Sequence, residues 1–313
     1  MCVGRYDTTS MNMPISRFRL VVSLGIGIIA VSFASLFIRF AQARGMPTLT
    51  IAAWRLIFAC LVLLPYAWTT HRKEIRALSG KEWGLVIISG ICLGLHFATW
   101  IVSLGYTSVA SSVVLGTMGP VFVGLGSWLF LKERLALLTG VGIVLAALGS
   151  IIIGWSDMGE ARTRLFGDFL ALAGSVFVAG YLMIGRKVRA HRSLTAYIGT
   201  VYGIAMLTLL AMVLCRQQPM LGFHPVAYLW ALALGLIPQL IGHTTLNWAL
   251  HHLSATFVSI VTLAEPMGAG ILAYLILQET PTLMAVFGGI LVLIGIYIAS
   301  RTELAATPSE SNP

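Results

Sequence analysis

The chain has 313 residues, of which 58% are hydrophobic and only 10% are charged. Soluble domains carry about 25% charged residues, and a soluble chain of this length could not remove so much apolar surface from water. The composition therefore excludes a cytosolic enzyme, a disordered chain and a secreted disulfide scaffold. The net charge of +9 does not indicate nucleic-acid binding, because the basic residues lie between apolar segments. The four cysteines form no CxxC pair, so neither a disulfide framework nor a metal site is predicted.

Apolar runs fill most of the chain, and each is long enough to cross a bilayer as a helix, which takes about 20 residues. In chain order the ten runs are 20–41, 48–69, 82–104, 108–131, 135–155, 166–185, 194–215, 226–248, 254–277 and 281–300. They leave only short connections, of which 70–81, 156–165 and 216–225 are the longest. The pattern predicts an all-α polytopic membrane protein of ten transmembrane helices, with 1–19 and 301–313 as polar terminal tails.

Lysine and arginine are distributed unevenly between alternate connections. If the N-terminus is cytoplasmic, the inward segments carry 14 of the 20 basic residues and the outward loops carry 4. Cytoplasmic loops of membrane proteins are enriched in Lys and Arg. The bias predicts a multi-pass protein of the inner (plasma) membrane with both termini in the cytoplasm.

The second half of the chain repeats the first at an offset of 146 residues. The matched pairs are Pro120 with Pro266, Glu133 with Glu279, Gly142 with Gly288 and Gly149 with Gly295. Upstream the match shifts by one residue, so that His96 meets His243. An odd number of spans in each repeat, here five, inserts the second copy upside down. The repeat predicts two inverted five-helix units, 20–155 and 166–300, with a binding site near the bilayer midplane between them.

Pro120 and Pro266 each lie about halfway along a predicted span, where a proline removes one helical hydrogen bond. The carbonyl groups that they free belong to Gly116 and Thr262, four residues back. Free carbonyls at this depth are tolerated where they line a cavity or find another donor. The two prolines are therefore predicted to be helix breaks, either as packing kinks or as functional breaks beside a cavity.

Glu265 is the only acidic residue deep inside a predicted span. Burying a carboxylate there costs about 2.5–3.5 kcal/mol or more, so we expect either a proton carrier or a residue beside a positive partner. It could also bind a substrate amine or cap freed backbone donors, or serve only as a structural residue bonded to a neighbouring helix. Arg55 in the second span is the best partner by depth, and it could instead neutralise a substrate carboxylate.

Further polar and aromatic residues share one helix face in each repeat. His96 and Trp100 lie four residues apart on the third span, and residues this far apart on a helix are neighbours. On the eighth span, Gln239, His243 and Asn247 follow the same spacing. The inverted topology places the first pair towards the periplasm and the second set towards the cytoplasm. Together they predict the wall of a substrate pathway, with satisfied buried polar groups as the alternative.

Sequence signatures of enzymes are absent from the chain. The sequence contains no HExxH, GxSxG or Walker motif and no pair of intramembrane aspartates. We therefore predict that the protein is not an enzyme and needs no metal, nucleotide or other cofactor. Two alternatives stay open: an intramembrane enzyme acting on lipid-like substrates, and a membrane scaffold or sensor that transports nothing.

Several of these segments resemble the EamA family of the drug/metabolite transporter superfamily. The resemblance covers nearly all of 18–300, and its marks are AAWRLIFA, WIVSLGYTSVASSVVLGTMGPVF and LNWALHHLSATFVSIVTLAEPMGAGILAYLILQE. It implies a ten-helix carrier whose central cavity is lined by spans other than 135–155 and 281–300. Those two spans would be peripheral and are a candidate surface for a homodimer. Because members export amino acids, other metabolites, toxic compounds and dyes, the expectation is a secondary, ATP-independent exporter of amino acids or similar small molecules that works by alternating access.

Overall fold

The protein is helical wherever its structure is described. The computed structural model describes residues 16–107, 109–126, 128–129, 136–155, 164–278 and 282–306. Within these residues, seven helices are long and apolar enough to cross a membrane, and shorter apolar helices occupy Leu137–Ile152 and Val286–Ala299. No strand occurs in the described part of the chain. The predicted all-α membrane fold is confirmed. Glu133 and Glu279, which the sequence repeat pairs, lie outside the described residues.

Fourteen α-helices and one π-helix make up the described fold. They are α1 (Arg17–Ser32), α2 (Ala34–Gln42), α3 (Thr48–Arg76), α4 (Gly80–Ser103), α5 (Val109–Gly116), α6 (Gly119–Gly126), α7 (Leu137–Trp155), α8 (Arg164–Arg189), α9 (Leu194–Cys215), α10 (Pro225–Leu234), the π-helix (Gly235–His243), α11 (Thr244–Ala249), α12 (Ala255–Thr262), α13 (Glu265–Leu277) and α14 (Leu283–Ala306). Three predicted spans, the first, fourth and ninth, are thus divided into two α-helices, whereas the eighth runs without a gap through the π-helix.

Two helices extend beyond the apolar runs that predict them. Helix α3 continues to Arg76, so the connection predicted at 70–81 shortens to three residues. The hydroxyl of Thr70 donates to the carbonyl of Tyr66 at 2.6 Å, and the long charged side chains that follow are good helix formers in water. Helix α14 similarly reaches Ala306, six residues into the tail that was predicted to begin at 301. Apolar length therefore marks the membrane part of a helix and not its ends.

The two prolines related by the repeat do not kink continuous helices. Pro120 is the second residue of α6 and Pro266 the second residue of α13, and each follows a two-residue break. A proline in the first turn removes no helical hydrogen bond, because the first N–H groups of a helix have no intrahelical acceptor. Of the two alternatives, the structure has a break before each proline and not a kink within one continuous helix. Each proline instead opens the second half of a span that is divided into two half-helices.

Helices α7 and α14 pack against each other through glycines that are related by the repeat. A Cβ atom added to Gly142 would lie 2.6 Å from the carbonyl oxygen of Gly295, and one added to Gly149 would lie 2.5 Å from that of Gly288. The 146-residue offset equates Gly142 with Gly288 and Gly149 with Gly295, so the contacts exchange partners as a two-fold axis requires. The helices run antiparallel, and the axis that relates them is perpendicular to both.

Other helix pairs repeat this reciprocity and enclose the centre of the molecule. Helix α4 of the first repeat packs along α8, while α1 packs along the π-helix and α11 of the second repeat. Helix α3 packs along its counterpart α9, and α6 packs against α12. The broken helices therefore meet in the middle of the bundle, and α7 with α14 forms a separate pair beside it.

The close approach of α7 and α14 can be tested with two matched substitutions. Gly142→Val adds a branched side chain where the facing backbone leaves no room, and overpacking typically costs about 1–3 kcal/mol. Gly140→Val, two residues earlier on the same helix, meets nothing within 4 Å and serves as the control. We expect a lower melting temperature in detergent for the first variant only. Equal melting temperatures for the two variants would contradict the packing.

Candidate functional site

A cavity lies where the broken helices of the two repeats meet. Its polar and aromatic lining consists of Arg55, His96, Phe97, Trp100, Thr117, Tyr181, His243, Ser259, Thr262 and Glu265. Space for the centres of water molecules amounts to about 50 Å³, enough for about three to five waters at 10–15 Å³ each. Among the lining residues none comes from α7 or α14. The cavity is small and mostly apolar, with a few polar and charged groups among its lining residues, and both halves of the chain contribute to it.

The two histidines of the repeats face each other across this cavity. Their ring centroids are 6.5 Å apart, although the sequence places them towards opposite sides of the membrane. The His96 ring stacks on Trp100 at 6.2 Å with an interplanar angle of 4°. Its Nδ1 lies 2.9 Å from the carbonyl oxygen of Gly174, so Nδ1 carries the proton and Nε2 is left as an acceptor. The structure therefore brings His96, Trp100 and His243 together as the sequence predicts, and their role in transport stays a prediction.

Arg55 is a buried cation at the cavity wall, with 1% of its surface exposed. Its Nε donates to Oε1 of Gln239 at 2.9 Å, and its guanidinium carbon lies 3.9 Å from the centroid of the Phe97 ring. Guanidinium groups stack favourably on aromatic rings. The guanidinium makes no other hydrogen bond within the described residues. Arg55 thus presents a fixed positive charge to the cavity.

Glu265 lies at the same cavity and begins α13, where a helix N-terminus favours a negative charge. In the part of the chain that the structure describes, its carboxylate has no hydrogen-bond donor and no basic group within 4 Å. Among the described residues Arg55 and Glu265 form no contact ion pair, although their opposite charges attract each other across the cavity. The two opposite charges line one cavity without contact, because Gln239 and Phe97 hold the guanidinium where it lies.

Gln239 and Asn247 do not line the cavity, which corrects their predicted place in its wall. Both are 0% exposed. Gln239 lies behind Arg55, whereas the amide of Asn247 donates to the Tyr181 hydroxyl and, at 2.7 Å, to the carbonyl oxygen of His243. Asn247 therefore joins two lining residues from behind. The four-residue spacing correctly places these residues on one side of the span, but it does not predict their depth.

Several lining residues were not predicted, and the repeat offset relates some of them to each other. Lining positions correspond between repeats as Val31 with Val178, Ala34 with Tyr181, His96 with His243, Gly116 with Thr262, and Gly119 with Glu265. In three of these pairs the first repeat supplies a small residue and the second a polar one. The signal was missed because a search for charged residues ignores the alanine and glycines that leave room for their counterparts.

On the side that is predicted to be cytoplasmic, polar contacts link the ends of the helices and the connections between them. Nε and one terminal nitrogen of Arg192 donate to the two carboxylate oxygens of Glu82 at 2.6 and 2.8 Å. This hydrogen bonding raises the pKa of Arg192 above its ordinary value. Glu74 accepts from the backbone N–H of Ser193 at 2.7 Å, and Arg189 donates to the carbonyl oxygen of Asn247 at 3.2 Å. The contacts join α3 and α4 to α8, α9 and α11.

Removing the Arg192 contact is expected to have a small effect on stability. Ion pairs that are exposed to solvent contribute about 0.2–1 kcal/mol, and both partners here are about a quarter exposed. Arg192→Gln should therefore lower the free energy of unfolding by no more than this amount. Arg72→Gln, which alters an exposed residue of α3, is the control. A loss well above 1 kcal/mol, measured by denaturation in detergent, would show that the pair is part of a larger cooperative unit.

A family model, curated relatives and a solved structure all show similarity over most of this chain. The model of the family described as "EamA-like transporter family" matches residues 20–155 and 165–301. An uncharacterized transporter of Archaeoglobus fulgidus is 26% identical over 300 residues, which cover 92% of this chain and 99% of the relative. The uncharacterized transporter YdfC of Bacillus subtilis is 24% identical over 277 residues, or 88% of each chain. A solved crystal structure superposes with a TM-score of 0.76 at 17% identity, covering 94% of this chain and all of that one, which shows a shared fold. With both halves matched, this chain belongs to the EamA-like transporter family.

Proposed function

We propose that the protein is a secondary carrier that exports amino acids or related small metabolites across the inner membrane. The observation that carries this proposal is the central cavity, which is lined by both repeats and contains a cationic and a carboxylic side chain. Burying such groups in a membrane protein is costly, and they usually mark a pathway for a solute or an ion. Family membership supports a transporter, and the cavity supplies the place where a substrate would bind.

The proposed mechanism is alternating access by two inverted halves of five spans each. The reciprocal contacts of Gly142 with Gly295 and of Gly149 with Gly288, between α7 and α14, support this mechanism. They fit a two-fold axis perpendicular to the two antiparallel helices, and such an axis relates inverted repeats. Half-helices that meet at mid-membrane are also common in carriers, where one half rocks against the other around a central site. In this proposal α7 and α14 form the stable pair, and both termini lie in the cytoplasm.

The polarity of the cavity favours a substrate with both an acidic and a basic group. Arg55 comes from the first repeat and Glu265 from the second, with the stacked His96 and Trp100 rings nearby. A carboxylate would lie against Arg55 and an ammonium group against Glu265, while an apolar side chain would contact the aromatic rings. A small amino acid has this combination of groups.

Overexpression in cells exposed to toxic compounds tests the proposal. Cells that produce the protein and cells with an empty vector are grown on a panel of toxic amino-acid analogues and dyes. We expect producing cells to resist at least one amino-acid analogue and to accumulate less of it. Proteoliposomes loaded with the same compound should release it faster than protein-free liposomes. If no compound of the panel is tolerated better or released faster, the proposal is rejected.

A further inference from the structure

We propose that Gln239 is a positioning residue, which orients Arg55 so that its free N–H groups bind the anionic group of the substrate. This inference rests on the proposed function and adds the means by which the anion is held. Gln239 does not line the cavity, and its action on the substrate therefore passes through Arg55. The anionic group would be a carboxylate, whose two oxygens match the fork of a guanidinium.

The argument begins with the hydrogen-bond donors of Arg55. A guanidinium has five N–H groups, and Gln239 accepts from the one on Nε. The four on the terminal nitrogens have no acceptor within the described residues, although the side chain is 1% exposed and lines the cavity. Buried donors in proteins are nearly always satisfied. An acceptor from outside the chain, a bound carboxylate, would complete the set.

The contact with Gln239 also decides the direction in which these donors point. Phe97 holds the plane of the guanidinium at 3.9 Å, and the Nε bond at 2.9 Å fixes its rotation within that plane. Because Nε is directed at Gln239, the one terminal N–H that runs parallel to Nε–H faces the same side, and the other three terminal N–H groups point away from Gln239. Gln239 carries no charge, so it fixes the guanidinium and leaves its positive charge available to a ligand.

The π-helix explains how Gln239 comes within reach of Arg55. A Cβ atom at Gly235 would lie 2.8 Å from the carbonyl oxygen of Arg55, and one at Gly242 would lie 2.5 Å from a methyl group of Val31. The π-helix is therefore pressed against α3 at its first residue and against α1 near its last. Single π-turns are frequent at functional sites. Here the π-helix brings the Gln239 side chain to Arg55 and the His243 ring to the cavity on the same side of the span.

The binding test uses purified protein in detergent and two probes that differ only in charge. The probes are 4-methylpentanoate and 4-methylpentanamide, and binding is measured from the ligand-dependent rise of the melting temperature. For the unaltered protein we expect the acid to bind at least tenfold more tightly than the amide. Gln239→Met should reduce this preference at least tenfold, as should Arg55→Met, and the double variant should lose no more than either single variant. Gln42→Met, on α2 away from the cavity, should keep the preference.

A second variant separates positioning from mere structural support. Gln239→Glu keeps an acceptor for Nε but adds a negative charge beside Arg55, so it should also lose the preference for the acid while it remains folded. The proposal is overturned if the unaltered protein does not prefer the acid, or if Gln239→Met keeps the preference. It is equally overturned if Gln239→Glu binds the acid as well as the unaltered protein does. A preference for the acid without export of any compound would reject the proposed function and leave the anion site standing, whereas export without the preference would do the reverse.

Discussion

Arg55→Met is expected to leave a folded protein that no longer transports. Replacing a buried charge by an apolar side chain of similar length is often neutral or stabilising, provided that no opposite charge is left behind. The variant loses the hydrogen bond to the neutral amide of Gln239 and the stacking on Phe97. Because the amide oxygen of Gln239 is left buried without its donor, we expect a cost of about 1–3 kcal/mol. Glu265 makes no contact with Arg55, but the two opposite charges attract each other across the cavity, so the variant also loses this attraction.

The effect of Arg55→Met on the substrate should be much larger. Removing one partner of a buried charge pair costs about 2–5 kcal/mol, and 2 kcal/mol already corresponds to about a 30-fold loss of affinity. Arg55→Lys keeps the charge but not the planar fork, so it should bind with intermediate affinity. Both variants are measured by uptake into proteoliposomes and by melting temperature in detergent. Transport by Arg55→Met at the level of the unaltered protein would remove Arg55 from the binding site.

The membrane fold could be predicted because each helix is encoded locally. A run of about 20 apolar residues has few stable structures in a bilayer other than a helix. The repeat offset adds long-range information, because it equates His96 with His243 through the sequence alone. The same offset equates the lining residue Ala34 with Tyr181, which was not predicted to line the site, whereas Glu265 was predicted from its depth.

The details of the site could not be predicted, because they depend on tertiary contacts. Arg55 and Gln239 are 184 residues apart in the chain, and no local pattern predicts that their side chains meet. The π-helix contains Pro238, a local feature that removes one helical N–H, but its close contacts with two neighbouring helices at Gly235 and Gly242 are non-local. Depth made Glu265 the natural partner for Arg55. The structure instead uses a neutral amide and an aromatic ring, which leaves both charges facing the cavity.

Glu265→Gln is expected to fold normally and to change how transport responds to pH. The amide keeps the size and the neutral hydrogen bonds of the carboxyl group but cannot ionise. Because Glu265 has no ion pair in the described structure, no buried arginine loses its partner. The remaining cost is the loss of the favourable interaction between the carboxylate charge and the N-terminus of α13, which contributes about 0.3–1 kcal/mol. The melting temperature should therefore change little, in contrast to the loss expected if Glu265 were paired.

Transport should separate the two roles that Glu265 can have. The neutral form of a carboxyl group is cheaper to place in an apolar surrounding than the charged form, so Glu265 can take up and release a proton as the cavity opens to each side. Arg55, His96, Tyr181 and His243 are the other charged or titratable groups among the described lining residues of this cavity. With a proton-carrying Glu265, the variant should lose transport driven by a pH gradient and keep the exchange of substrate across proteoliposomes at equal pH.

The measurement compares gradient-driven uptake with exchange in the same preparation. Glu82→Gln is the control, since it removes a carboxylate at the distant Arg192 contact and should leave the pH dependence of transport unchanged. Loss of both gradient-driven uptake and exchange in Glu265→Gln would indicate that the carboxylate binds the substrate amine, because exchange needs substrate binding but no net proton movement. If the melting temperature, gradient-driven uptake and exchange all match the unaltered protein, Glu265 neither carries a proton nor binds substrate, and the cavity tolerates it only because water can enter.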